Sequence, residues 1–69
     1  MFVVIELQKA GENVYNLVTQ HSTMPEAENK YHTVLAAAAV SNIEAHSALL
    51  VSDTGTLIKS ECYLHTNEE

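Results

Sequence analysis

Thr23 to Ser41 reads TMPEAENKYHTVLAAAAVS, the one stretch with a strong helical signature in a chain of 69 residues. Thr23-Met24-Pro25-Glu26 fits a capping box: the Thr23 hydroxyl can accept from the Glu26 amide, and the Glu26 carboxylate can reach back to the Thr23 amide. Pro25 falls in the first turn, where its missing N–H has no consequence. Glu26 and Glu28 put negative charge at the positive end of the helix dipole, and Glu26–Lys30 is an i,i+4 pair in the favourable order. Four alanines, Ala36 to Ala39, then supply the best helix former. Ser41-Asn42 is the expected end, since Asn tolerates a left-handed cap.

The faces of this helix set the architecture. Ala27, Tyr31, Val34, Leu35 and Ala38 follow the spacing of one apolar stripe, which requires a surface beneath it. Glu26, Glu28, Asn29, Lys30, His32 and Thr33 make the other side of the first half polar. The second half has no polar side, because Ala36, Ala37, Ala39 and Val40 complete the circle. A helix that is apolar all round is a buried one, and a chain this short has little material to bury it twice. That excess points to self-association.

The flanking segments read as strands. Phe2 to Gln8 is rich in β-branched residues; Val3, Ile5 and Leu7 share one face, and Phe2 and Val4 share the other with Glu6 and Gln8. Its beginning is apolar on both sides, which suits a central strand or a second surface covered by a partner. Lys9 to Asn13 is a hairpin loop in which Gly11 and Asn13 can take positive φ. Val14 to His21 returns, with Tyr15, Leu17 and Thr19 against Val14, Asn16, Val18 and Gln20, a mixture that suits an edge. Asn42 to Glu44 connects the helix to a third strand, Ala45 to Ser52. Asp53-Thr54-Gly55 is a turn. In the fourth strand, Leu57 to His65, Ile58, Ser60, Cys62 and Leu64 are expected inside, and Lys59, Glu61, Tyr63 and His65 outside, with Leu57 the apolar exception on the outer side. Thr66 to Glu69 is a polar tail that should fray.

The expected layout is therefore ββαββ: one α+β domain over residues 1–69, two layers, with one helix on one face of a four-stranded sheet. The element order resembles that of ubiquitin-like β-grasp domains. That resemblance implies first and last strands paired in parallel at the centre. The alternative is an all-antiparallel sheet with the hairpins side by side.

Composition bounds the function. A chain this short buries only about 60% of its unfolded surface, and small domains add disulfides, metals or oligomerisation. A single cysteine excludes an internal disulfide, and 46% hydrophobic residues exclude a disordered chain. Three lysines, no arginine and a net charge of −6 argue against nucleic acid and anionic membranes as partners. Met1-Phe2-Val3-Val4-Ile5-Glu6 lacks the basic region of a signal peptide, and no stretch approaches a span of about 20 apolar residues. With a free Cys62, a reducing, cytoplasmic setting is expected.

The segments EAENKYHTVLAAAAVS, HSALLVSDTG and KSECY resemble a group of short proteins from Gram-positive bacteria and their phages or mobile elements. The resemblance implies an accessory or phage-associated protein rather than a metabolic enzyme, and it supplies no site residues.

Chemistry-bearing residues are few. His21, His32, His46 and His65 lack the tight spacing of a metal site, so solvated or capping roles are the plainer expectation; no metal or other cofactor is expected. His32, four residues after Glu28, invites a Glu–His pair, although a solvated polar face explains both. Cys62 is expected to be a small core hydrophobe rather than a nucleophile. Tyr31 belongs to the stripe, and Tyr15 and Tyr63 are outward contact residues. No nucleophile elbow or phosphate loop is present.

These features favour a non-enzymatic, homodimeric interaction protein, with a protein partner and a self-association surface of Phe2, Val4, Ala36, Ala37, Ala39 and Val40. The alternative is a small ligand- or metal-binding protein or enzyme with a His/Glu site at a subunit boundary. A DNA mimic ranks below both, because the acidic charge is modest and not clustered.

Overall fold

The computed structural model describes residues 1–65; the tail, residues 66–69, lies outside them. The elements are β1 (Phe2–Ala10), β2 (Asn13–His21), α1 (Met24–Val40), β3 (Ala45–Ser52) and β4 (Leu57–Leu64). They build a two-layer α+β fold. The sheet order is β2-β1-β3-β4, every neighbour antiparallel. The hairpins therefore lie side by side and β1 pairs with β3, not in parallel with β4. The parallel centre implied by the β-grasp resemblance is absent.

The first hairpin is tighter than its composition suggests. Gly11 has φ of 64°, and among the described residues no non-glycine residue has positive φ. The turn is therefore a two-residue one with its left-handed position first, the II′ form. Asn13 is released into β2, and Lys9 and Ala10 extend β1.

The helix starts as its sequence dictates. Thr23 Oγ1 accepts from the Glu26 amide at 3.4 Å, and Pro25 occupies the first turn. It ends differently from the expected left-handed Asn. Ser41 is extended, with φ of −84°, and its N–H donates to the Ala38 carbonyl at 3.3 Å.

The expected stripe is the buried one: Ala27, Tyr31, Val34, Leu35 and Ala38. Beneath it, Val4 lies directly opposite Leu50 in the β1–β3 register, with Ala48 beside them. Val4 is 1% exposed, and Ala48 and Leu50 are 0% exposed. Alanines on both layers let the helix approach the sheet closely. A helix is about 10 Å across and strands are about 4.8 Å apart, so one helix covers about two strands. It covers the central pair and leaves the flanks of β2 and β4 open.

Two expectations about faces are corrected by this packing. Phe2 and Val4 point toward the helix, Val4 into the core and Phe2 packed at its margin, so neither belongs to a free self-association surface. The sides of β4 are also reversed. Glu61 stands opposite buried Ala48, and Lys59 opposite Leu50. Lys59 Nζ pairs with Glu28 at 3.3 Å and lies 5.6 Å from the centre of the Tyr31 ring. The polar flank of the helix over β4 selects the polar side of that strand, and Ser60, Cys62 and Leu64 turn away. Cys62 is consequently exposed, not a core residue.

Candidate functional site: the uncovered face of the sheet

Side chains alternate across each strand, so the register assigns the second face residue by residue. Val18, Ile5, Leu49 and Ser60 form one row across it, and Gln20, Val3, Val51 and Leu57 the next. On the other side of the first row lie Asn16, Leu7, Ser47 and Cys62. Among the described residues no helix lies on this side. Ile5, Leu7, Leu49 and Val51 are therefore only half-buried, by one another, and Val18 and Leu57 are exposed. The small Ser47, Ser60 and Cys62 leave an open hollow of about 350 Å³, lined also by Leu7, Leu49 and Glu61.

The electrostatics of this face differ from those of the rest of the chain. Glu6 and Glu61 stand in register with buried Ala48, on the helix side. Glu26 and Glu28 are on the helix itself, and Glu12, Glu44 and Asp53 are in turns and connectors. Of these carboxylates only Glu61 reaches the bare face, at one wall of the hollow. Lys9 stands at a corner of the face, paired with Glu44 at 3.5 Å. A chain of net charge −6 thus keeps most of this apolar surface clear of acid among the described residues. The back of the helix is exposed as well: Ala36, Ala37, Ala39 and Val40 all face away from the sheet, Val40 at 83% exposure. It offers mostly methyl groups, and so less apolar area than the branched residues of the sheet.

The other organised feature is polar and lies under the end of α1. His46, 3% exposed, bridges Glu6 and Ser41. Its Nε2 is 2.6 Å from Glu6 Oε2 and its Nδ1 is 3.2 Å from Ser41 Oγ. Gln8 Nε2 donates to the same Glu6 oxygen at 3.0 Å. Burial alone pushes the Glu6 carboxyl up. Hydrogen bonds from His46 and Gln8, with the charges of His46 and Lys30, together hold it below its ordinary value. Ser41 Oγ also accepts from the Ile43 amide at 3.4 Å and lies 3.3 Å from the Ala38 carbonyl. The order Ser–His–Glu is that of an acyl-transfer triad, but His46 is enclosed and the hydroxyl serves a helix cap. Glu6 borders a smaller cavity of about 110 Å³, with Gln8, Tyr15, Asn16 and Leu17. Neither cavity is lined by Ser41 or His46.

The other histidines are dispersed. His65 caps the helix: its Nε2 is 2.8 Å from the Ala38 carbonyl, one of the groups a helix end leaves unpaired, and its ring stacks on Tyr63. His21 contacts Thr19 Oγ1 at 2.9 Å. His32 sits edge-on to Tyr31 on the exposed side, while Glu28 turns instead to Lys59. Among the described residues no three His, Cys, Asp or Glu side chains converge as metal ligands. Tyr15 and Tyr63 lie on the helix side of the edge strands, beyond the helix's cover, and are exposed. Among the described residues no helix is long and apolar enough to cross a membrane.

The periodicity of the strands carries the bare face in plain view: Val3-Ile5-Leu7 and Leu49-Val51 alternate cleanly. What strand periodicity lacks is the choice of side, which the helix makes when it settles on Val4 and Leu50. Comparison with protein-family models, with curated proteins and with solved structures finds no match for the chain.

Proposed function

We propose that this chain is a self-associating, non-enzymatic interaction protein, and that its bare sheet face docks against the same face of a second copy. The observation that carries this is the apolar, uncovered surface around Ile5 and Leu49, where Glu61 at the wall of the hollow is the one carboxylate among the described residues. Four strands about 4.8 Å apart and about eight residues long span roughly 500 Å² in projection. Two such faces together bury about 1,000 Å², near the lower bound for a specific interface. Two sheets stacked face to face form a sandwich with the helices outside, the ordinary way a sheet with two apolar faces is closed. A docked pair covers Cys62, and the unpaired thiol suits a reducing, cytoplasmic setting. An accessory role through a further protein partner fits the acidic outer surface, which favours a basic one.

Sedimentation of wild-type chain and of Leu49→Lys tests this. The wild type should exceed 7.6 kDa at tens of micromolar, and Leu49→Lys should lose mass while keeping its circular dichroism. We read Ser41–His46–Glu6 as a strut that ties the helix end to the sheet. Covalent labelling of Ser41 by a fluorophosphonate would contradict that reading.

A further inference from the structure

The two edges of the sheet are not equivalent. β4 carries the devices that keep an edge from pairing: a bulge at Ile58, where the register shifts against Leu50 and Val51, and the charges of Lys59 and Glu61. β2 carries none. Its nine residues, Asn13–His21, contain no Asp, Glu, Lys, Gly or Pro, and its register with β1 is unbroken along its length. It is also exposed on both sides, Leu17 at 54% and Tyr15 at 59% toward the helix layer, Val14 and Val18 toward the bare face. An edge of this kind is a template for another strand.

We propose that the outer edge of β2 pairs antiparallel with β2 of another copy. This contact is separate from the face-docked pair and does not depend on it. Hairpin geometry determines which backbone groups are available. A two-residue turn closes on a hydrogen-bonded pair, here Ala10 and Asn13. Tyr15, Leu17 and Thr19 therefore bond inward to β1, and Val14, Asn16, Val18 and Gln20 direct their N–H and C=O groups outward.

A two-fold axis at Leu17, the middle of the strand, uses the whole of β2. It puts Asn16 opposite a second copy's Val18 and Val14 opposite its Gln20, with two hydrogen bonds exchanged in each pair. On the helix side Leu17 meets Leu17, and Tyr15 meets Thr19. The pairing joins two four-stranded sheets into one, closes by symmetry, and brings no like charges together despite the acidity of the chain. It gives exposed Leu17 and Tyr15 lateral neighbours on the flank that the helix is too narrow to reach.

Amide hydrogen exchange on the unmodified protein tests this residue by residue. At high concentration the amides of Val14, Asn16, Val18 and Gln20 should exchange at least about tenfold more slowly than on dilution. Exchange at the free-chain rate at every concentration overturns the proposal. Leu17→Lys provides a second readout: Leu17 is half-exposed and off the bare face, so the variant should fold, halve the largest assembly and abolish the protection. An unchanged mass for that variant also overturns it. Failure of the bare-face contact looks different: Leu49→Lys keeps the mass of the wild type while the edge amides stay protected.

Discussion

The two faces of this sheet are built from nearly the same side chains and have opposite fates. On one side Val4, Ala48 and Leu50 are sealed under α1. On the other, Val3, Ile5, Leu7, Leu49 and Val51 are at least as apolar and lie uncovered. Neighbouring residues of the same strand, Leu49 and Leu50, therefore do different work. The difference shows that hydrophobicity along a strand reports that a surface must be covered, and a separate element decides which surface it is. With one helix among the described residues, the second face is left uncovered.

The largest effect should come from breaking the covered side. Leu50→Ala should destabilise the fold by roughly 3–4 kcal/mol in urea unfolding, since it empties a site with no route to collapse. Leu49→Ala, measured at a concentration where the chain is monomeric, should lose under about 1 kcal/mol and show its larger effect only in association. Equal losses at the two positions would erase the distinction between the faces.

His46→Ala should follow at roughly 2–3 kcal/mol, because Glu6 and Ser41 lose a common partner inside the fold. The pH dependence sharpens the same point. Glu6 is held below its ordinary value, so its contribution is present above that ordinary value and is lost as pH falls through the folded one. The stability advantage of wild type over Glu6→Gln should therefore persist down to the ordinary carboxylate value and shrink as pH falls below it, in parallel urea titrations. An advantage that grows below that value would reverse the sign assigned to the strut.

The smallest change is expected on the back of the helix. Val40→Glu at that exposed site should alter stability by under about 0.5 kcal/mol and leave the sedimenting mass unchanged. A fall in mass would move the interface from the sheet to the stretch Ala36 to Val40.

Much of this architecture was legible in the residues. Thr23, Pro25 and the stripe from Ala27 to Ala38 fix the start and inner side of α1, and the mixed faces of β2 mark it as an edge. Three features were not legible, each for a physical reason. Alternation from Lys59 to Leu64 says which residues share a side, but the side is chosen by Glu28 above Lys59, and the bulge at Ile58 moves Leu57 to the bare face beside Val51. Phe2 and Val4 look available until the helix docks on them. His46 and Glu6, 40 residues apart, meet only because β1 pairs with β3, and the composition left the strand order open.

The most direct measurement is the mass of wild type beside that of Leu49→Lys, by sedimentation at several hundred micromolar. The bare face, if it is covered by a second copy, makes the wild type heavier than the variant, with both equally folded. A wild type that stays at 7.6 kDa, or a variant of unchanged mass, would contradict it.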